Sequence, residues 1–193
     1  MGLFESSFLA PHSWICSVCL ARLAAIRRVK MIPPLKYAWL TIKHKYFVFL
    51  AGRKTKAHLW DLLTHDLSKL TPAELPHYGR QFFGDKGDPY GFIMCWLHHQ
   101  NRNRHHWEYF IPRTGHNRCT SPYPANVPVP MPERYVREMV ADWMGASRAY
   151  GGKWPVKGEW HWFNDNCAEI KKNVDPQTWM LVLQVLQEVD LFP

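Results

Sequence analysis

Apolar residues recur every three or four positions along much of this chain, which is the spacing that predicts amphipathic helices. The first clear case is the segment 35–50, which follows Pro33 and Pro34 and precedes Gly52, a residue type that often ends helices. We therefore predict a helix there, with His44 near one edge of its apolar stripe. The stripe consists of Leu35, Trp39, Ile42, Tyr46 and Phe49.

The same spacing predicts a series of further helices and no β-strand. Thr71 and Glu74 form a capping box that predicts a helix start, and Asp85 and Asp88 are expected to be solvated loop acids. Residues 111–132 contain many prolines and predict a long loop. We predict an all-α fold, a single helical bundle with this Pro-rich loop. The further helices are predicted at 56–65, 75–83, 89–109, 133–150, 159–172 and 176–189.

The composition favours one folded domain that has an anionic partner. The chain has 193 residues, of which 47% are hydrophobic and 15% aromatic, and these values exclude a disordered chain. The net charge of +8 favours a nucleotide, a nucleic acid or a membrane surface as partner. No apolar run is long enough to span a membrane. The charge does not choose among these partners, and the pattern leaves the oligomeric state open.

Two features predict a cytoplasmic protein with a dispensable N-terminal segment. The five cysteines are odd in number and scattered, so we expect free thiols in a reducing compartment. Residues 1–30 do not resemble a secretory signal, and Met31 with the following Ile-Pro-Pro resembles a more natural start. We therefore interpret 1–30 as a leader or a mis-called start, possibly disordered, and 31–193 as the functional domain.

Histidine and carboxylate residues are the candidate chemistry. Of the eleven histidines, seven lie between positions 58 and 106, and His65 directly precedes Asp66. In a continuous helix, His99 and His106 would share one face with Asn103, and His105 would lie on an adjoining face. A solvated basic surface is the alternative for this cluster. Asp142 falls on the apolar face of its predicted helix, where a carboxylate is costly unless it is paired or binds a metal.

These residues resemble the HD-domain superfamily of metal-dependent hydrolases, an all-α fold. The superfamily has a His, then His-Asp, then Asp on three helices, and His44, His65, Asp66 and Asp142 match in order and type. Members with two metals add histidines in the places of His99 and His106 or His105. His-Asp-Leu-Ser-Lys resembles the His-Asp-x-Gly-Lys of the cyclic-dinucleotide-cleaving branch, but the Gly-Tyr-Pro of that branch is missing.

The chain is still more similar, over residues 31–190, to a family of short, uncharacterised, largely phage-encoded proteins. The matching motifs are Ile-Lys-His-Lys at His44, His-Asp-Leu-Ser-Lys at His65, and Met-Val-Ala-Asp-Trp at Asp142. The longest is His-His-Gln-Asn-Arg-Asn-Arg-His-His-Trp-Glu-Tyr, which begins at His98. A phage origin would place the protein in the host cytoplasm.

The resemblance implies hydrolysis of a phosphate ester, above all a nucleotide, with one or two divalent transition metal ions. Mixed imidazole and carboxylate ligands suit Mn²⁺, Fe²⁺, Zn²⁺ or Ni²⁺. Asp66 would bridge two ions, and Lys69 would contact the phosphate or protonate the leaving oxygen. Side chains between the two histidine pairs and in the Pro-rich loop are candidates for binding the anionic substrate. They are Arg102, Asn103, Arg104, Arg113 and Arg118.

Two other functions fit the same residues. The superfamily also includes di-iron oxygenases with this ligand order, which use O₂ to cleave C–C or C–P bonds. Alternatively, the protein is a non-enzymatic phage protein in which a metal only joins helices and the positive charge binds nucleic acid. The sequence has no helix-turn-helix or zinc-finger spacing that would indicate sequence-specific contacts with DNA.

Overall fold

The computed structural model describes residues 32–112 and 126–192, and this part of the chain is helical, without a strand. The predicted all-α fold is thus confirmed. Within these two ranges, seven α-helices are accompanied by two short 3₁₀ helices at 67–70 and 107–110. The α-helices are α1 (Pro33–Thr55), α2 (Leu59–Thr64), α3 (Leu75–Phe83), α4 (Pro89–Arg102), α5 (Glu133–Gly151), α6 (His161–Asn173) and α7 (Pro176–Glu188).

The packing of α1 against α5 organises the fold. These two helices share the most extensive contact in the described structure, and α7 covers another face of α5 while α3 packs on α1. A Cβ atom on Gly145 would lie 2.7 Å from the backbone nitrogen of Val48, so only glycine permits this close approach. Fully buried residues such as Val48, Val140 and Val185 form the main core between α1, α5 and α7. Burial of each such side chain contributes about 1.5–3 kcal/mol.

Helix α1 buries a different face from the apolar stripe. Trp39 and Tyr46 of the stripe are 64% and 59% exposed, whereas Thr41 and His44 are buried. Most of the stripe therefore faces solvent, and Phe49 alone of its members packs against the core, because the inward face of α1 contributes polar side chains to a buried cluster. Helix α1 also continues three residues past Gly52, which lies against Leu62 where a Cβ would clash.

Three predictions about helix ends and their capping residues were wrong. Helix α3 begins at Leu75 without a side-chain cap, and the Glu74 carboxylate points into the interior instead of capping the helix. Asp88 is not a free loop acid, because its Oδ1 accepts a hydrogen bond from the Gly91 amide at 2.8 Å and caps α4. Helix α4 ends at Arg102, so the face predicted for a continuous helix through 109 does not form.

Some predictions fall on residues that the structure does not describe. The interpretation of 1–30 as a leader lies outside the described residues, as do Arg113 and Arg118. The expectation of free thiols is met at Cys95 and Cys167, the two cysteines within the described ranges. None of the helices in 32–112 and 126–192 is long and apolar enough to cross a membrane.

Candidate metal centre

The candidate centre is built around Asp66, which lies between α2 and the first 3₁₀ helix. Its backbone is left-handed, with φ 56° and ψ 15°, a conformation that aspartate and asparagine tolerate better than most residues. This bend directs the His65 and Asp66 side chains to the same place, although neighbouring residues usually point apart. The Asp66 side chain is completely buried.

The first group of candidate ligands surrounds oxygen Oδ2 of Asp66. The Nε2 atoms of His44 and His65 lie 3.4 and 3.5 Å from this oxygen. Asp142 Oδ1 lies 2.9 Å from His44 Nε2 and 3.4 Å from His65 Nε2. Helix α1, the bend after α2 and helix α5 thus bring four donor atoms together.

The second group surrounds the other oxygen, Oδ1 of Asp66. The Nε2 atoms of His99 and His105 lie 3.3 and 3.5 Å from it. His106 Nε2 completes the group at 2.9 Å from His99 Nε2. His105 and His106 follow the end of α4, and the turn there lets two adjacent histidines face one point. The structure therefore brings all seven predicted ligand residues together, and their binding of a metal stays a prediction.

The spacing of the donor atoms fits metal ions. Ligand bonds of about 2.1 Å place neighbouring donors about 3.0–3.4 Å apart in tetrahedral or octahedral geometry. The pairs of donor atoms described above are 2.9–3.5 Å apart, and all donor atoms of one group lie within 4.8 Å of one another. In addition, Asp66 Oδ1 and His105 Nε2 are buried and have no hydrogen-bond partner. Since unpaired buried polar atoms are costly, this arrangement favours a cation between them.

Glu138 orients one histidine from each group, and the sequence analysis did not identify it. Its Oε1 accepts hydrogen bonds from His65 Nδ1 at 2.9 Å and from His105 Nδ1 at 3.1 Å. Burial opposes ionisation, but these two imidazoles lower the pKa of Glu138 to about 2. Because Nδ1 of both imidazoles faces Glu138, Nε2 is the atom that faces Asp66, and it carries the lone pair that a metal needs when the ring is neutral.

Glu74 has the corresponding role for His99. Its Oε2 accepts from His99 Nδ1 at 3.0 Å and from the Ser68 hydroxyl at 3.1 Å. Its Oε1 accepts from His98 Nδ1 at 2.8 Å, so His98 belongs to this supporting layer and not to the centre. Asn103 also supports the centre, since its amide donates to Ser68 Oγ at 2.9 Å.

The buried charges are arranged so that the carboxylates stay ionised. Lys69 Nζ lies 2.6 Å from Asp66 Oδ2 and, against the effect of burial, helps to hold the pKa of Asp66 well below its usual value. Burial lowers the pKa of His65, but Asp66, Asp142 and Glu138 raise it to about 9. His106 differs, because burial and the neighbouring His105 and His99 lower its pKa well below the usual value. The centre thus attracts positive charge.

A family described as "Family of unknown function (DUF5662)" matches residues 35–188. The chain belongs to this family. The match includes both groups of candidate ligands as well as Glu74 and Glu138. No curated protein and no solved structure matches the chain.

In this DUF5662 protein, two of the candidate ligands are partly exposed to solvent. The side chains of Asp142 and His106 are 15% and 14% exposed, whereas those of the other five candidate ligands are at most 2% exposed. Asp142 and His106 both line a cavity of about 710 Å³ between α5, α6 and the second 3₁₀ helix. This cavity therefore opens directly onto the two most exposed candidate ligands.

Two of the predicted substrate-binding arginines of the DUF5662 protein line a second opening. Arg102 and Arg104 line a separate cleft of about 440 Å³, on the side where Glu138 holds the imidazoles. Arg104 donates to the Tyr135 hydroxyl at 3.0 Å and lies over the rings of Tyr109 and Tyr135. Because the candidate ligands His65 and His105 also line this cleft, Arg102 and Arg104 border the centre from a different opening than the one that Asp142 and His106 line.

Proposed function

We propose that this protein is a metal-dependent phosphohydrolase that acts on a phosphate ester, the class that includes nucleotides. One observation carries the proposal. The two oxygens of Asp66 face two separate groups of donor atoms, three further donors in each. A carboxylate shared in this way is suited to bridge two ions. Centres with two metal ions commonly serve displacement reactions at phosphorus.

The donor set favours transition metals. Five of the seven candidate ligands contribute imidazole Nε2 atoms at close range, and imidazole suits Zn²⁺, Fe²⁺, Mn²⁺ or Ni²⁺ better than Ca²⁺ or Mg²⁺. When bound, such ions activate water at neutral pH and offset the charge on phosphate oxygens. The first ion would be held by His44, His65, Asp66 and Asp142, and the second by Asp66, His99, His105 and His106.

The protein's own residues would hold this centre in place and limit its charge. Glu138 and Glu74 orient three of the imidazoles through their Nδ1 atoms. Lys69 compensates the charge of Asp66 from a buried position, and it lines neither the cavity nor the cleft. In the reaction, the P–O bond to the leaving alcohol breaks, the oxygen of water bonds to phosphorus, and the alcohol leaves with a proton.

The resemblance of His44, His65-Asp66 and Asp142 to the HD-domain signature supports the same proposal. The test is elemental analysis of protein purified without a His tag or chelators, followed by assays of phosphate release from ester substrates. Two transition metal ions per chain together with phosphate release are expected. Iron with oxygen consumption and no phosphate release would instead indicate an oxygenase. Protein without metal, unstabilised by added Mn²⁺, Fe²⁺ or Zn²⁺, would overturn the proposal.

A further inference from the structure

The cavity that reaches the candidate centre has walls rich in tryptophan. It holds about 710 Å³, within the range of cavities that enclose small-molecule ligands. Six of the ten tryptophans of the chain line it. They are Trp96, Trp107, Trp143, Trp154, Trp160 and Trp162. The unusual tryptophan content of the sequence is thus concentrated around one internal space.

The aromatic walls contact the candidate ligands directly. The ring of Tyr150, which also lines the cavity, stacks on His44 with centroids 5.5 Å apart and an interplanar angle of 11°. The ring centroid of Trp96 lies 5.7 Å from that of His99, in a stacked arrangement, and 5.3 Å from that of His106, in an edge-on arrangement. A molecule whose reactive end lies at the centre would therefore extend its remaining part between aromatic rings.

The charges around the cavity do not suit a polyphosphate. Among the described lining residues, Lys153 is the single lysine or arginine, whereas Glu159 and Glu169 add negative charge. A triphosphate needs several cationic donors along its length, typically arginines and lysines. The centre itself can receive one anionic group, and the rest of the cavity favours an apolar or aromatic body.

We propose that the substrate is a phosphomonoester with a single phosphate and a flat aromatic ring system as its organic part. The inference rests on the proposed phosphohydrolase function and specifies the substrate class of the same site. The phosphate lies at the exposed edge formed by Asp142 and His106. The ring system lies against the tryptophans of the cavity wall, such as Trp143 and Trp162, whose own rings contact each other with centroids 5.6 Å apart.

The test compares two esters that both have an alkoxide leaving group, 2-naphthylmethyl phosphate and glycerol 3-phosphate, using the Mn²⁺-loaded full-length protein. Stacking on aromatic side chains is worth ~1–3 kcal/mol per ring, which predicts a kcat/KM ratio of roughly 5 to 150 in favour of the aromatic ester. A nucleoside triphosphate is expected to be a poorer substrate than the matching monophosphate.

Trp162→Ala tests whether the cavity causes this preference, because Trp162 is 45% exposed and its loss should leave the fold intact. We expect the kcat/KM ratio of the aromatic ester to glycerol 3-phosphate to fall several-fold in this variant. It should fall further in the double variant Trp143→Ala/Trp162→Ala. Trp60→Ala, at a residue that is 64% exposed and lines the other cleft, is the matched control and should keep the ratio.

The outcomes separate this inference from the function on which it rests. Hydrolysis of both esters at similar kcat/KM, or a preference unchanged in both tryptophan variants, would overturn the aromatic substrate class and leave a phosphohydrolase. Metal-loaded protein that hydrolyses neither ester nor any monophosphate would overturn the phosphohydrolase itself. Faster hydrolysis of the triphosphate than of the monophosphate would also contradict the single-phosphate assignment.

Discussion

Lys69 places its ammonium nitrogen 2.6 Å from Oδ2 of Asp66, the same oxygen that faces His44 and His65. Both side chains are buried, with Lys69 8% exposed and Asp66 not exposed at all. Removal of one partner from a buried ion pair leaves the other charge uncompensated, which costs about 3–5 kcal/mol. A divalent ion bound by the first group of candidate ligands would place a second positive charge beside the Asp66 carboxylate.

We therefore expect Lys69→Met to lower the free energy of unfolding of metal-free protein by about 3–5 kcal/mol, and Mn²⁺ to recover much of this loss. Urea denaturation with and without Mn²⁺ measures both values. Lys157→Met is the control, because Lys157 forms a surface pair with Asp190 at 3.5 Å and its loss should cost less than about 1 kcal/mol. Equal destabilisation with and without Mn²⁺ would contradict binding of the ion beside Asp66.

Asp66→Asn should abolish binding of both ions while preserving the backbone. Asparagine tolerates the left-handed conformation at this position, so the substitution removes the charge without straining the bend. Metal content by elemental analysis should fall from two ions per chain to none or nearly none. Asp85→Asn, in the loop before α4, should retain full metal content. An Asp66→Asn protein with both ions would rule out the bridging carboxylate.

Glu138→Gln and Glu74→Gln should differ in the number of metal ions whose binding they weaken. Glu138 holds one imidazole of each group, whereas Glu74 holds an imidazole of the second group alone. Loss of such an orienting carboxylate typically lowers metal affinity ~10–100-fold. Competition with a chelator should show weaker binding of both ions in Glu138→Gln and of one ion in Glu74→Gln. The same number of weakened ions in both variants would contradict the assignment.

Gly145→Ala should weaken the contact that brings His44 and Asp142 together. The added Cβ would lie 2.6 Å from Val48 Cγ2 and 2.7 Å from the Val48 nitrogen, so α1 and α5 must separate. We expect a loss of about 1–3 kcal/mol in unfolding free energy, together with weaker metal binding. Gly151→Ala is the matched control, since no atom lies within 4 Å of its added Cβ. Similar stability of the two variants would contradict this packing argument.

The protein should become less stable as the pH falls, and the protonation of Glu188 should account for part of this loss. Hydrogen bonds from Arg137, supported by Gln184 and Lys56, lower the pKa of Glu188 from 4.5 to about 2. A carboxylate with a lowered pKa in the folded state stabilises the protein above pH 4.5, and this contribution is lost as the pH falls towards 2. In Glu188→Gln, the urea midpoint should decrease less between about pH 5 and pH 3 than in the wild type. The same pH dependence of the urea midpoint in both proteins would contradict the lowered pKa of Glu188.

The candidate ligands could be predicted because their residue types are unusual for their positions. A dense histidine cluster and an inward-facing Asp142 are hard to explain as ordinary surface or core residues. The order of the ligands also predicted which segments must meet, and the structure brings them together. Their role in metal binding stays a prediction, as does the hydrolase activity.

The supporting residues could not be predicted, because their roles depend on contacts between distant segments. Glu138 has its role because it contacts both His65 and His105, which come from different segments. The sequence contained one local indication of this role, namely that Glu138 lies four residues before Asp142 on the same helix. Glu74 fitted a capping box equally well, since Thr71 lies three residues before it. The buried face of α1 was missed because it includes polar residues such as Thr41 and His44, which hydrophobic periodicity does not count toward an inward face.

The long separation of α1 and α5 along the sequence has a consequence during protein synthesis. Helix α1 ends at Thr55 and its main packing partner, α5, ends at Gly151. At translation rates of about 5–20 residues per second, α1 waits about 5–20 s on the ribosome before α5 is available. During this interval Val48 and Ala51 lack their native cover, while Trp39 and Ile42 on the opposite side are exposed in any case. The nascent chain therefore presents apolar surface around the whole helix, which makes α1 the segment most suited to transient binding by a chaperone.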